Sequence, residues 1–138
     1  MSDPGFFPPR IFSLDEAEAL LPQLRPILNV LSRARTQQAE AQRELSERYH
    51  GGRGNGHPVP GGELDRLHGA MDQAQEHIQE SVAAITGLGC ELKDPDRGMV
   101  DFRTVRDGRV VYLCWLMEEP RILFWHDLDG GFAGRQPL

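Results

Sequence analysis

Along the first third of the chain, Leu14, Leu20, Leu21, Leu24, Leu28 and Leu31 fall on one helical face, mostly at steps of three and four, with Ile27 filling in. Ser13 and Glu16, three residues apart, mark its start as an N-cap and its reciprocal partner in a capping box; Asp15 beside them suits the positive end of the helix dipole. Pro22 and Pro26 each remove an intrahelical hydrogen bond, which predicts a kink or short break near Leu21. From Thr36 to Arg48 strong helix formers dominate, and Leu45 is the one sizeable apolar side chain. A first helix is therefore expected over 14–49, with little to bury in its second half.

His50 to Gly62 holds six glycines with Pro58 and Pro60, the composition of a loop. Leu64, Leu67, Met71, Ala74, Ile78 and Ile85 then form a heptad-like stripe, with Val82 beside it, predicting a second helix over 63–87. Two helices joined this way fold back most simply as an antiparallel hairpin. The period then changes. Cys90 to Lys93 reads as a short strand, Asp94 to Gly98 as a turn and Met99 to Arg103 as a strand. Asp107-Gly108 is a two-residue hairpin signal. Val110 to Met117 is apolar on both faces, so both should be covered, and Arg121 to His126 is the last strand. The expected fold is α+β: a long antiparallel helical hairpin followed by a small antiparallel three- to four-stranded β-meander. One domain would fill 1–138, with a lead-in over 1–13, the loop over 50–62, the meander over 90–126 and an irregular tail over 127–138.

The 138 residues are 39% hydrophobic and 26% charged, with a net charge of −6, a soluble globular profile. No apolar run reaches the ~20 residues of a membrane span, and Met1 to Pro9 lacks a basic-then-apolar leader, so no membrane association and a cytoplasmic location are expected. The acidic balance argues against nucleic acid as a partner, since phosphate binding relies on lysine and arginine. Cys90 and Cys114 form no CxxC pair, which points to two buried thiols rather than a disulfide framework or a structural zinc site. Lys93 is the one lysine among 15 basic residues; the abundance of Gly, Pro, Ala and Arg reads as compositional bias before it reads as anion recognition.

Phe12-Ser13-Leu14-Asp15-Glu16-Ala17 with Leu20-Leu21-Pro22, then Gly98 to Phe102, Val111 to Trp115 and the run from Trp125 to Leu138 resemble an uncharacterised bacterial family, domain of unknown function 2203. The resemblance implies a small prokaryotic cytosolic protein. It carries no activity, cofactor or catalytic residue with it.

Three groups of residues could carry chemistry. Glu47 and His50 at the end of helix one, with Asp65 and His68 at the start of helix two, have the i, i+3 spacing used by di-iron bundles. Those bundles draw on four helices and a sealed core, whereas these pairs flank a polar tip, so solvated surface is the better reading. His57 and His77 add no spacing of their own. The run from Gly51 to Gly56 lacks the preceding strand and the Gly-Lys-Ser/Thr of a phosphate cradle. The third group is Asp101, Glu119 and His126, with Asp127, Asp129 and Arg135 near in sequence. Antiparallel strands would gather the first three toward one sheet edge, where two carboxylates and an imidazole suit a divalent metal or an acid–base pair. The competing expectation places His126 in the core, on the face of Ile122 and Phe124 and hydrogen-bonded to a carboxylate. Tyr112, Trp115, Phe124, Trp125 and Phe132 cluster in the same block, but with seven basic against nine acidic residues from Glu91 onward they read as packing, not as a base-stacking platform.

Two functions follow. The favoured one is a non-enzymatic, homodimeric interaction or scaffold protein. Helix one would span about 50 Å, the longest strand only about 27 Å, so the hairpin should project beyond the sheet. Leu64, Leu67 and Met71 would then be undercovered until a second protomer or a protein partner supplied the missing helices. The alternative is a metal- or small-molecule-binding protein, in one form a hydrolase, with its site and a divalent metal at Asp101, Glu119 and His126.

Overall fold

The computed structural model describes residues 10–51 and 61–138, the side chains of 49–51 excepted. The start of the lead-in (1–9) and most of the Gly/Pro-rich tip (52–60), with His57, Pro58 and Pro60, lie outside the described residues. The order is α1 (Leu14–Ala19), α2 (Leu21–Gly51), α3 (Gly61–Gly87), β1 (Glu91–Asp94), β2 (Met99–Arg106), β3 (Arg109–Leu116), β4 (Phe124–His126), a 3-10 turn (Phe132–Gly134) and β5 (Gln136–Pro137). The fold is α+β, long packed helices followed by an antiparallel sheet.

The capping box is present in both directions: the Glu16 amide donates to Ser13 Oγ at 3.1 Å and the Ser13 amide to Glu16 Oε1 at 3.0 Å. Helix one is interrupted at Leu20, where the prolines predicted it. Pro22 falls in the first turn of α2, where an amide would have no intrahelical partner, and Pro26 is accommodated one turn further on.

By its contacts the chain gathers into two compact units, one of them Asn29–Val82, the other running to Leu28 and resuming over Ala83–Leu138. In the first, α2 and α3 close a seam of Leu31, Ala34, Ala41, Leu67, Ala74 and Ser81. Gln38 donates to Gln75 at 2.8 Å and Arg48 pairs with Glu63 at 2.6 Å, so the helices run antiparallel. Leu67 is 1% exposed, and Leu64 and Met71 are half-buried. The expectation that all three lack cover thus fails at Leu67.

In the second unit the sheet order is β1-β2-β3-β4-β5, every neighbour antiparallel. There are five strands where three or four were expected. The added one lies in the tail, which is not irregular throughout: Gln136–Pro137 pairs with Phe124 and Trp125 of β4. A proline there is tolerated because β5 is an edge strand. The β2–β3 turn has Asp107 at φ 52° and Gly108 at φ 80°, both left-handed, as a two-residue hairpin with right-twisted strands requires. That turn sets the register, pairing Arg106 with Arg109 and, five rungs on, Asp101 with Cys114.

Strand alternation then sorts side chains onto two faces. Val100, Phe102 and Thr104 of β2, Val111, Leu113 and Trp115 of β3, and Trp125 of β4 share one, all buried. Phe12 meets Phe102 edge-on with ring centroids 5.3 Å apart, and the Arg25 guanidinium lies over Trp115 while donating to the carbonyls of Met117 and Glu119. The other face carries Met99, Asp101 and Arg103, Tyr112, Cys114 and Leu116, and Phe124 and His126.

Candidate functional site

The second face buries ionisable side chains among apolar strands. Asp101 is fully buried and His126 is 1% exposed, and His126 Nε2 lies 2.8 Å from Asp101 Oδ2. They come together because β3 bridges them: Asp101 is opposite Cys114, and His126 is opposite Tyr112 one side-chain pair along. Cys114, also fully buried, completes a trio whose ligand atoms all lie within 4.8 Å of one another.

The proton arrangement follows from the partners. His126 Nδ1 is 2.6 Å from the Asp127 carbonyl, which can only accept, so Nδ1 carries a hydrogen. In a neutral ring Nε2 is then a bare lone pair. It faces a carboxylate oxygen, also an acceptor, so the contact at 2.8 Å holds one further proton shared between Asp101 and His126. Burial raises the Asp101 carboxyl above its ordinary value, and the charge of His126 and the hydrogen bonds of Cys114 and His126 do not undo this. The second oxygen, Oδ1, is buried and has no partner of hydrogen-bonding geometry among the described residues. Burial, and after it the Asp101 charge, pushes the Cys114 thiol up to about 12, so it is protonated at neutral pH and is no nucleophile by itself.

The trio is buttressed on both sides. The Arg109 side chain pairs with the Asp127 carboxylate, fixing the residue whose carbonyl orients His126. The Tyr112 ring tilts against the imidazole at 5.3 Å, and its hydroxyl donates to Glu91 at 3.1 Å. Glu91 also receives Arg103 at 3.0 Å and Lys93 at 3.3 Å. Burial opposes ionisation of Glu91, but these donors outweigh it and hold the carboxyl below its usual value. Lys93 is correspondingly held above its own, since the attraction of Glu91 exceeds the cost of burial.

A cleft of about 340 Å³ opens over the pair. Asp101 and His126 form its floor, Met99, Leu128 and Phe132 supply apolar wall, and Lys93, Asp94 and Asp129 stand around it. Gly131, at φ 59°, turns the chain so that the tail lines the opening.

Of the sequence-predicted trio, Asp101 and His126 meet and Glu119 does not join them. Its carboxylate accepts the Leu116 amide at 2.8 Å and Arg135 at 2.5 Å, because the chain turns at Met117 and folds the side chain back on the end of β3. Cys114, read from the sequence as a plain buried thiol, takes the third place. The signal was present: counted from the Asp107-Gly108 turn, position 114 is the partner of position 101. Arg135 is tied to Glu119 and to the Cys114 carbonyl, Asp127 orients His126, and Asp129 lines the cleft. At the hairpin tip, Glu47, Asp65 and His68 are exposed, and the His50 side chain lies outside the described residues.

The small sheet thus holds an acid–imidazole–thiol cluster beneath a cleft. The chain belongs to the family described as an uncharacterized conserved protein, DUF2203, whose profile matches residues 10–138. None of the curated proteins or solved structures compared with it matches. Among the described residues, no helix is long and apolar enough to cross a membrane.

Proposed function

We propose that this protein binds a cation in the cleft over Asp101 and His126, and acts through that bound cation. The observation that carries the reading is the floor of the cleft: a buried carboxylate with one oxygen facing no donor of hydrogen-bonding geometry among the described residues and the other sharing a proton with an imidazole. A buried acceptor without a donor is costly, and such a group in a cleft marks the place where a ligand completes it. A cation can bind the free oxygen and displace the shared proton. Of the rim charges, Lys93 is engaged by Glu91 and Asp94 by Arg97, and Asp129 adds a further carboxylate.

This reading stands ahead of the homodimeric scaffold. That one drew on undercovered leucines, and Leu67 is covered within the chain. The test is thermal unfolding of the full chain with magnesium, manganese, cobalt, zinc or ethylammonium chloride, beside Asp101→Asn, which keeps the shape and removes the charge. At least one cation should raise the midpoint of the native chain by several degrees and leave Asp101→Asn unmoved. No shift with any cation, or equal shifts in both proteins, would overturn the proposal.

A further inference from the structure

Resting on the cation reading, we infer that the cation is a thiophilic transition-metal ion of the zinc class, held by Asp101, Cys114 and His126. Three observations converge. The trio offers one oxygen, one sulfur and one nitrogen within 4.8 Å of one another, and tetrahedral zinc needs such donors at about 3.5 Å, so small rotations close the site. Asp101 Oδ1 is fully buried and faces no donor of hydrogen-bonding geometry among the described residues. His126 Nδ1 is anchored on the Asp127 carbonyl, the outer hydrogen bond that metal-binding histidines use to present Nε2 to the ion.

The donor set selects the metal. Magnesium, calcium and manganese prefer all-oxygen shells, whereas thiolate with imidazole favours zinc and its neighbours. The ion replaces the proton between Asp101 and His126 and the proton of the Cys114 thiol. Both leave to solvent, and a carboxylate, a thiolate and a neutral imidazole balance the dication. Three protein donors leave a fourth position, as in zinc sites that work on a ligand rather than only hold a fold. The cleft reaches Asp101 and His126, so that position is supplied from the cleft side, next to Lys93 and Asp129. Glu119 is not a ligand in this site; Arg135 and the Leu116 amide hold it elsewhere. Cys90 is excluded as well, since it is absent from the cluster and donates to the Ile85 carbonyl.

Cobalt(II) chloride is the probe, titrated into the full reduced chain with a non-thiol reductant. One equivalent should bind, with sulfur-to-cobalt charge-transfer absorption and tetrahedral d–d bands, both abolished by zinc. Cys114→Ser should lose the charge-transfer band and bind zinc at least about tenfold more weakly, while Cys90→Ser keeps both properties. Because a Cys114 variant could fail to fold, X-ray absorption of the zinc-loaded native chain provides an independent reading, with one sulfur in the first shell expected. No charge-transfer band in the native chain, a band that survives in Cys114→Ser, or a first shell with no sulfur or two would overturn the assignment. Magnesium or ethylammonium binding that vanishes in Asp101→Asn, with no sulfur contact to cobalt, would sink this inference and leave the cation reading standing.

Discussion

In the helical unit, Gln38, Gln75, Glu44, Arg48, Glu63 and Arg66 satisfy one another at the surface, while Leu31, Ala34, Ala41, Leu67 and Ala74 close the seam; Ser81 is the buried polar residue there. In the sheet unit a carboxylate, an imidazole and a thiol are taken out of water together, and one carboxylate oxygen faces no donor of hydrogen-bonding geometry among the described residues. The first arrangement is what stability alone would select: charges hydrated, interior small and apolar. The second is expensive by the same measure, since buried polar groups must be fully paired to break even. The contrast is what favours the sheet as the place of the proposed site, where the chain tolerates a cost that packing does not require.

The largest expected effect tests the apolar half of this comparison. Leu67→Glu would place a carboxylate at a position 1% exposed in a seam of alanines, and should cost about 4 kcal/mol or more. Urea unfolding followed by far-ultraviolet circular dichroism would read it as lost helix. A variant of unchanged stability whose mass by light scattering is half that of the parent would instead place Leu67 at an interface between protomers, and the comparison would break.

The next effect tests the polar half. With metal removed by a chelator, Asp101→Val alone should cost about 3 kcal/mol, because it leaves the His126 ring buried without its carboxylate. Adding His126→Leu should recover that loss, since an apolar pair can replace a buried ionic one at no net cost. Urea midpoints of the two singles and the double make a mutant cycle. Additive losses would mean that the two side chains are not energetically coupled, and the argument from the cost of the buried pair would lapse.

The two halves were not equally legible beforehand. Helix limits, the break at Leu20, the capping box and the Asp107-Gly108 hairpin all follow from local chemistry: propensity, proline geometry, a reciprocal cap, a left-handed turn. The Asp101–Cys114 pairing was readable too, by counting rungs from that turn. His126 was placed correctly beside a carboxylate on strand alternation alone, but which carboxylate depended on the irregular stretch between β3 and β4. No periodicity governs that stretch, and there Glu119 bends back to Arg135. The tail hid β5 for a related reason, since Gly130, Gly131, Gly134 and Pro137 carry loop chemistry while pairing with β4 supplies the strand from outside.

Cys90 sharpens the comparison from within the sheet unit, as a buried thiol outside the acid–imidazole–thiol cluster. Burial pushes it up to about 11 from an ordinary 9.0, the Arg10 charge notwithstanding. The folded chain therefore holds this proton where the unfolded chain has released it. Its contribution is intact below about pH 9 and declines as pH rises toward the folded value, because the unfolded state then binds fewer protons. Urea midpoints measured from pH 8 to 11 should fall, and Cys90→Ala should fall less steeply. An identical slope in the variant would show that Cys90 ionises as freely folded as unfolded.

The smallest effect belongs to the helical surface. Arg48 sits 2.6 Å from Glu63 and 3.2 Å from Glu44, and Arg66 reaches Glu44 at 3.1 Å, so two arginines and two glutamates form a connected patch across α2 and α3. The side chains are between 26% and 57% exposed, so water and salt screen the attraction, and holding four long side chains in place offsets much of the rest. Glu63→Gln should therefore cost only about 0.5 kcal/mol at low ionic strength, the range of an exposed pair. In molar salt the cost should shrink toward zero, whereas the loss in Asp101→Val should change less, since that pair is buried and salt screens it weakly. Urea unfolding of both variants at the two salt concentrations makes the comparison directly. Equal salt sensitivity in the two would mean that the Asp101–His126 pair is as well hydrated as the helical surface, and the distinction between the units would fail at its central point.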